Sequence, residues 1–114
     1  MSMNEEIRAA VLPVVPVCVP GIYHVDATDA AAAVYTTFDL TEQPSAFGDD
    51  EPTAIRYLGQ LHLYLPDGQN PLALKRQLRR AMLDADFAVG AWTDASDADG
   101  QHHVLDFEGT DGEV

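Results

Sequence analysis

The chain has 114 residues, the size of one ordinary domain, and 46% of them are hydrophobic, so it can bury a single modest core. Nineteen acidic residues against six basic ones give a formal net charge of −13, which disfavours nucleic acid as a direct ligand because phosphate binding needs basic stripes. Two readings of this charge stay open: solubility alone, or an acidic surface that repels DNA or binds a basic partner.

The N-terminal segment predicts a short helix. Asn4 is suited to cap it, and the two glutamates that follow favour a helix N-terminus. Ile7, Ala10 and Val11 fall on one face, and we expect the helix to end at Leu12. The acidic start, without a basic stretch, also predicts that the chain carries no secretory signal.

Residues 13–20 predict an extended lead-in, because prolines at positions 13, 16 and 20 interrupt any helix. The stretch is too short and too rich in proline to span a membrane. Cys18 is the only cysteine of the chain, which excludes an internal disulfide and suits a reducing cytoplasm. Since Cys18 lies among apolar residues, we expect it to pack in the core rather than to act as a catalytic thiol.

The next segment predicts strands joined by a long acidic loop. Ile22 to Val25 is a candidate short strand, and the run DATDAAAA from Asp26 to Ala33 leaves helix and irregular structure both open. Ala33 to Leu40 is predicted to be a strand. Residues 41–53 combine two prolines, a glycine and an acidic run, so we expect a protruding, mobile loop there.

The strand predicted from Ala54 to Leu65 has the clearest pattern in the chain. Every second side chain is apolar or small, and these positions are Tyr57, Gly59, Leu61, Leu63 and Leu65. The polar positions between them are Arg56, Gln60, His62 and Tyr64. This period of two predicts a strand with one buried and one polar face, paired as a hairpin with the strand before it.

A helix is predicted from Asn70, a good N-cap followed by a proline at the first helical position, to Asp84. The apolar stripe that should face the core repeats at helical spacing and consists of Leu74, Leu78, Ala81, Met82 and Ala85. The turn Pro66-Asp67-Gly68 separates this helix from the preceding strand.

Two further strands close the chain. Phe87 to Thr93 is short and rich in β-formers, and His102 to Glu108 places His103, Leu105 and Phe107 on one face. An exposed turn joins them, and residues 109–114 are predicted to fray. The expected fold is therefore one α+β domain over residues 1–114. It has a single antiparallel or mixed sheet of about four strands, on which one main helix and a short N-terminal helix pack.

Four of the six basic residues lie on the main helix: Lys75, Arg76, Arg79 and Arg80. Their i,i+4 spacing brings like charges together, so we expect another group to compensate them. In a chain this acidic, the segregation indicates a charged interface with the loop residues Asp49, Asp50 and Glu51 of a neighbouring subunit, with Phe47 filling an apolar gap. The alternative is a solvated helix face.

The sequence predicts no catalytic or metal centre. The turn DASDADG resembles a calcium loop, but with Gly100 at the sixth position the first ligand would be Ala95 and the last the short Asp106. His102 and His103 point to opposite sides of a strand, while His24 and His62 are isolated. Glycine-rich phosphate loops and nucleophile elbows are absent, so we expect no enzymatic activity and no cofactor.

The order of elements and several short strings resemble a known class of protein. They are FGDDEP in the loop, QLHLYLP in the strand, the helix pattern N-P-x-x-x-K-R-x-L-R, DADF after it and the closing HHVLDFEG. Over about residues 20–110 the chain looks like the small tail-component proteins of long-tailed phages and prophages, which are related to tail-terminator and tail-completion (neck) proteins.

The resemblance implies a structural virion protein without catalytic residues. Subunits of this class assemble as a ring, typically a hexamer, that ends the tail tube and joins it to the head. The expected partners are copies of the chain, the major tail protein and a head-completion protein, without sequence-specific nucleic-acid binding or a membrane. The expected location is the host cytoplasm during assembly and then the virion.

Two other functions stay open from the sequence. One is an acidic interaction module, of the inhibitor or DNA-mimic type, that binds a basic protein. The other is a small calcium-binding domain that uses the hairpin at residues 94–106.

Overall fold

The computed structural model describes residues 3–21, 34–47, 52–66, 68–97 and 100–111, and for residues 43–47, 52–55 and 111 it describes the backbone alone. The elements in chain order are α1 (Met3–Val11), β1 (Cys18–Pro20), β2 (Tyr35–Phe47), β3 (Pro52–Leu65), α2 (Leu72–Asp84), β4 (Ala88–Asp94) and β5 (Gln101–Asp111). They form an α+β domain with one mixed sheet of order β1-β2-β3-β5-β4 over the described ranges. The α+β class is confirmed, with five strands instead of about four.

The additional strand comes from the proline-rich lead-in. Cys18 to Pro20 pairs in parallel with Thr36 to Phe38, while the other pairs of neighbouring strands are antiparallel. The backbone N–H and the side-chain hydroxyl of Thr36 both donate to the carbonyl of Val17, at 2.9 and 2.7 Å. Proline is tolerated here because β1 lies at the edge of the sheet and needs only one row of hydrogen bonds.

The predicted loop at residues 41–53 is wrong over most of its length. β2 and β3 stay paired beyond Thr41, through the pairs Glu42↔Tyr57 and Ser45↔Ala54 to Phe47↔Pro52. We call residues 41–47 and 52–56 the hairpin arm. Beyond the end of β1, β2 pairs only with β3 among the described strands. The prolines of the arm are tolerated there because their missing N–H groups need not interrupt the hydrogen bonds of the sheet.

Several earlier expectations fall on residues that are not described. The candidate strand Ile22 to Val25, the run from Asp26 to Ala33, and the acidic loop residues Asp49, Asp50 and Glu51 all lie outside the described ranges.

Both helices pack on one face of the sheet. The buried core contains side chains of α1, α2, the inner positions of the strands and two connecting segments: Ile7, Val11, Val15, Cys18, Phe38, Leu61, Leu63, Leu65, Leu78, Met82, Phe87, Leu105 and Phe107. The two-residue period of β3 and the apolar face of β5 are therefore confirmed. Cys18 packs in this core, as expected, and burial raises the pKa of its thiol.

The start of α2 differs from the prediction, because Pro71 is the N-cap, without a side-chain cap hydrogen bond, and the helix begins at Leu72. Asn70 Oδ1 accepts a hydrogen bond from the backbone N–H of Leu72 at 3.0 Å. Leu78 and Met82 are buried and Leu74 is half-buried, but Ala85 is exposed and does not belong to the predicted core stripe. The helix ends at Asp84, and Ala85 is its C-cap.

β5 extends to Asp111, three residues beyond its predicted end, and residues 112–114 lie outside the described chain. The added residues pair with β3 through Arg56↔Thr110 and Ile55↔Asp111, and the ring of Phe87 lies where a side chain at the buried Gly109 would be. The molecule is elongated, 53 Å along its longest axis and 25 and 24 Å along the others. No helix within the described ranges is long and apolar enough to cross a membrane.

Candidate functional site

The predicted cationic face of α2 is present, but much of it is engaged within the same chain. Lys75 is half-buried, and its ammonium lies 5.8 Å from the centre of the Trp92 ring, within cation–π range. Trp92 Nε1 donates in turn to the backbone carbonyl of Lys75 at 3.2 Å. These contacts attach α2 to β4, at one edge of the sheet.

The three arginines differ in their surroundings. Arg79 donates to the carbonyl of Gly90 on β4, and Arg80 Nε lies 3.2 Å from Asp84 Oδ1 one turn further along α2. Arg76 is exposed and forms no hydrogen bond or ion pair with any described residue. The expected compensation of the repelling charges is thus supplied partly by the chain itself, and Arg76 remains as the cation available to another molecule.

The acidic side of the predicted interface can be located only through the backbone. Phe47 ends β2 opposite Pro52, so Asp49, Asp50 and Glu51, which are not described, connect the two strands of the hairpin arm. α2 lies against β4, whereas the arm extends from β2 and β3 on the other side of β5. The described part of the arm and the cationic face of α2 thus lie on opposite sides of β5.

The sequence reasoning missed a cluster of rings on the other face of the sheet, which we call the open face. Tyr35, Tyr64 and His102 lie side by side on β2, β3 and β5. The ring centres of Tyr35 and Tyr64 are 4.6 Å apart and those of Tyr64 and His102 are 4.4 Å apart, with the planes inclined by 13° in each pair. Stacked rings on three adjacent strands fix these side chains in position.

His62 belongs to this cluster and is not isolated. Its Nε2 lies 3.2 Å from Oδ2 of Asp39 on β2, and its Nδ1 lies 2.8 Å from Nε2 of His102 on β5. Pattern alone showed that His62 is on the polar face of β3. The contact with His102 depends on the register of β3 with β5. This register places His102 opposite Tyr64, two residues after His62.

The partners of His62 determine where its proton lies. An ionised carboxylate can only accept a hydrogen bond, so Nε2 of His62 carries the proton and donates to Asp39. In the neutral ring Nδ1 then has a lone pair, and His102 must donate to it from Nε2. Burial, and the nearby His62, lower the pKa of His102, which favours its neutral form in this chain of hydrogen bonds.

The rest of the open face is acidic and internally hydrogen-bonded. Gln60 Nε2 donates to Asp106 Oδ1 at 3.1 Å, and Arg56 Nε donates to Glu108 Oε2 at 2.8 Å at the base of the hairpin arm. A shallow depression of about 430 Å³ lies beside them and is lined partly by Asp39. Carboxylates thus project from rigid strands here, not only from loops.

The carboxylate of Asp94, the last residue of β4, forms a hydrogen bond within the turn that follows. Asp94 Oδ1 accepts a hydrogen bond from the backbone N–H of Ser96 at 2.9 Å, and hydrogen bonds from Ser96 lower the pKa of Asp94. Asp97 and Gly100 form an isolated bridge that narrows the turn. Among the described residues no group of three or more His, Cys, Asp or Glu side chains could hold a metal ion, and calcium binding by this turn stays an open alternative.

His103 points away from the cluster, into the core, as the alternation predicted. It is 3% exposed, and its Nε2 lies 3.1 Å from Oε1 of Gln101, to which it donates. Nδ1 is buried and has no hydrogen-bond partner among the described residues, and Asp94 is 4.0 Å away. Burial, together with the charge of Lys75, lowers the pKa of His103 below its usual value, despite the opposing effect of Asp94.

We expect His103 to make the fold sensitive to acid. Because its pKa is lower in the folded chain, the unfolded chain binds more protons, so stability falls as pH drops through the unfolded value of about 6.5. Urea melts of the native chain and of His103→Gln at about pH 7.5 and 5.5 would test this. The variant should lose less stability on acidification, whereas equal losses would contradict the assignment; His102, with its own lowered pKa, supplies a residual effect in both.

Comparison with models of known protein families gives no match, and a search of curated proteins finds no significant relative.

Proposed function

We propose that the chain is a structural subunit of a phage-type tail, which assembles with copies of itself into a ring that ends the tail tube and joins it to the head. The observation that carries the proposal is the separation of two charged features. The cationic face of α2 lies against β4 at one side of the sheet, and the hairpin arm extends from β2 and β3. A ring needs two different, complementary patches on each subunit, and a cationic helix face set apart from an arm that leads to acidic residues supports this arrangement.

The hairpin arm suits contact with a neighbour. β3 alone has 14 residues, which corresponds to about 45 Å of extended chain and to most of the molecule's 53 Å length. The core is formed by residues further along the strands, and Arg56 with Glu108 braces the arm at its base. Because the strands of the arm are paired, holding the residues at its tip in a contact would cost less conformational entropy than ordering an unpaired loop.

The charge of the chain also fits a passage for DNA. With a net charge of −13, a ring of these subunits could present an acidic lumen, which repels phosphate rather than binding it. DNA would then move through without adhering.

The central experiment is a charge exchange between the two patches. Light scattering of the native chain at low salt should show a mass several times that of one subunit, decreasing as salt screens the contact. Replacing Asp49 and Asp50 together by lysine should give a monomer with an unchanged melting temperature. Adding Arg76→Glu to this variant should restore part of the assembly, because Arg76 has no partner in its own chain among the described residues.

Two controls make the result specific. Glu6→Lys also removes a negative charge, on the exposed side of α1, and should leave the assembly intact. Arg80→Glu should rescue less than Arg76→Glu, because Arg80 already faces Asp84. A native chain that stays monomeric at high concentration and low salt, or a loop variant that completes tails normally, would overturn the proposal.

The open face favours a second candidate, an acidic module that binds a basic protein. Asp39, Asp106 and Glu108 project from paired strands, which gives carboxylates the fixed spacing that such a module needs. The scattering experiment separates the candidates. An acidic module would remain a monomer and would bind its partner in a salt-sensitive manner through Asp106 rather than through Asp49 and Asp50.

A further inference from the structure

The His62–His102 pair has the arrangement of a small metal site. We propose that it binds one divalent transition-metal ion of the Cu²⁺ or Zn²⁺ class, through Nδ1 of His62 and Nε2 of His102. The two nitrogens already face each other at 2.8 Å across β3 and β5. This site is independent of ring assembly.

The geometry needs little adjustment. Metal–nitrogen bonds of 2.0–2.1 Å at a tetrahedral angle place two ligand nitrogens about 3.3 Å apart, so the rings must separate by about half an ångström and turn until both lone pairs point at the ion. Both rings are half-buried on the open face and not locked in the core. The ion would replace the shared proton. In the hydrogen bond one nitrogen donates and the other accepts, whereas both must offer a lone pair to a metal.

Asp39 prepares His62 for this role. Its carboxylate holds the proton on Nε2, which leaves the lone pair of Nδ1 directed at His102. A carboxylate behind a histidine ligand fixes the tautomer and the orientation of the ring. Removal of Asp39 should therefore weaken binding without removing a ligand.

His102 must release the proton on its Nε2, which can return to Nδ1 from solvent, so that the ring stays neutral. Stacking on Tyr64 and the contact with His62 keep the ring in place during this change of tautomer. The acidic surroundings attract a cation.

Two protein ligands set the expected strength and selectivity. Water would complete the coordination, so binding should be weaker than at a closed structural site with four protein ligands. Cu²⁺ should bind more tightly than Zn²⁺, in the usual order for nitrogen ligands, and Mg²⁺ should not bind measurably.

The test is calorimetric titration of the intact chain with Cu²⁺ and with Zn²⁺ near neutral pH. We expect one ion per chain, and loss of binding in His62→Gln and in His102→Gln. Asp39→Asn should weaken binding by about tenfold or more, the usual effect of losing such a partner. His103→Gln is the matched control, since it removes the neighbouring histidine on the buried side of β5 and should leave binding unchanged.

A second measurement needs no variant. Zn²⁺ should shift the imidazole nitrogen resonances of His62 and His102 in the native chain and leave those of His103 in place. Binding that survives His102→Gln, that follows another histidine such as His24, or that is undetectable at millimolar Zn²⁺ and Cu²⁺ would overturn the assignment.

Discussion

Leu78→Ala should lower the free energy of unfolding by about 2–5 kcal/mol, the usual range for truncating a buried leucine. Leu78 is fully buried at the centre of α2, with Met82 one turn further on, and both belong to the cluster that joins the helices to the sheet. The loss has two sources: apolar area returns to water on unfolding, and the vacated volume leaves neighbouring atoms without contacts. Urea denaturation followed by circular dichroism would measure it.

Leu83→Ala is the matched control on the same helix. Leu83 is 41% exposed, so the same change of side chain there removes little buried area. We expect a cost below about 0.5 kcal/mol, typical of surface substitutions. Similar costs at both positions would mean that the buried face of α2 has been assigned wrongly.

Gly59→Ala should also be strongly destabilising, at or above the upper end of the about 1–3 kcal/mol that overpacking typically costs. Gly59 lies on the inner face of β3 between Leu40 and Phe107. A Cβ atom there would lie 2.7 Å from Cζ of Phe107 and nearer still to the carbonyl oxygen of Asp39.

Neither obstacle can move easily. The Asp39 carbonyl belongs to the backbone of the paired strand β2. The Phe107 ring is buried and packs against Phe87 in a T-shaped contact, with the ring centres 5.6 Å apart and the planes inclined by 81°. The clash would therefore spread into the hydrogen bonds of β2 and β3 and into the core. Thermal melting of the variant should show a much lower midpoint. NMR can separately establish that the ring cluster on the open face is intact in the variant.

Gly90→Ala provides the control for replacing a strand glycine. A Cβ at Gly90 would have only ordinary contacts, 3.6 and 3.7 Å from atoms of Asp106. Since alanine restricts the unfolded chain more than glycine does, we expect no loss or a gain of up to about 1 kcal/mol. A large loss at Gly90, or none at Gly59, would contradict the packing described around β3.

The elements that depend on local chemistry could be predicted from the sequence. The alternation from Tyr57 to Leu65 placed the two faces of β3 correctly, because successive side chains of a strand must point to opposite sides. The spacing of Leu78 and Met82 located α2 through its period of 3.6 residues, although the N-cap is Pro71 and not the predicted Asn70. The α+β class followed from the order of these elements.

The features that depend on pairing between distant residues could not. β1 is a strand only because it pairs with Thr36 to Phe38. The hairpin arm continues through prolines because no described strand pairs with its outer edge. The same limit applies to function. His62 and His102 are 40 residues apart, and their contact exists only in the register of β3 with β5. Composition determined the charge of this protein, and local periodicity determined the faces of its helices and strands. The tertiary structure decided which charges and rings meet, because sheet register joins residues that share no local pattern.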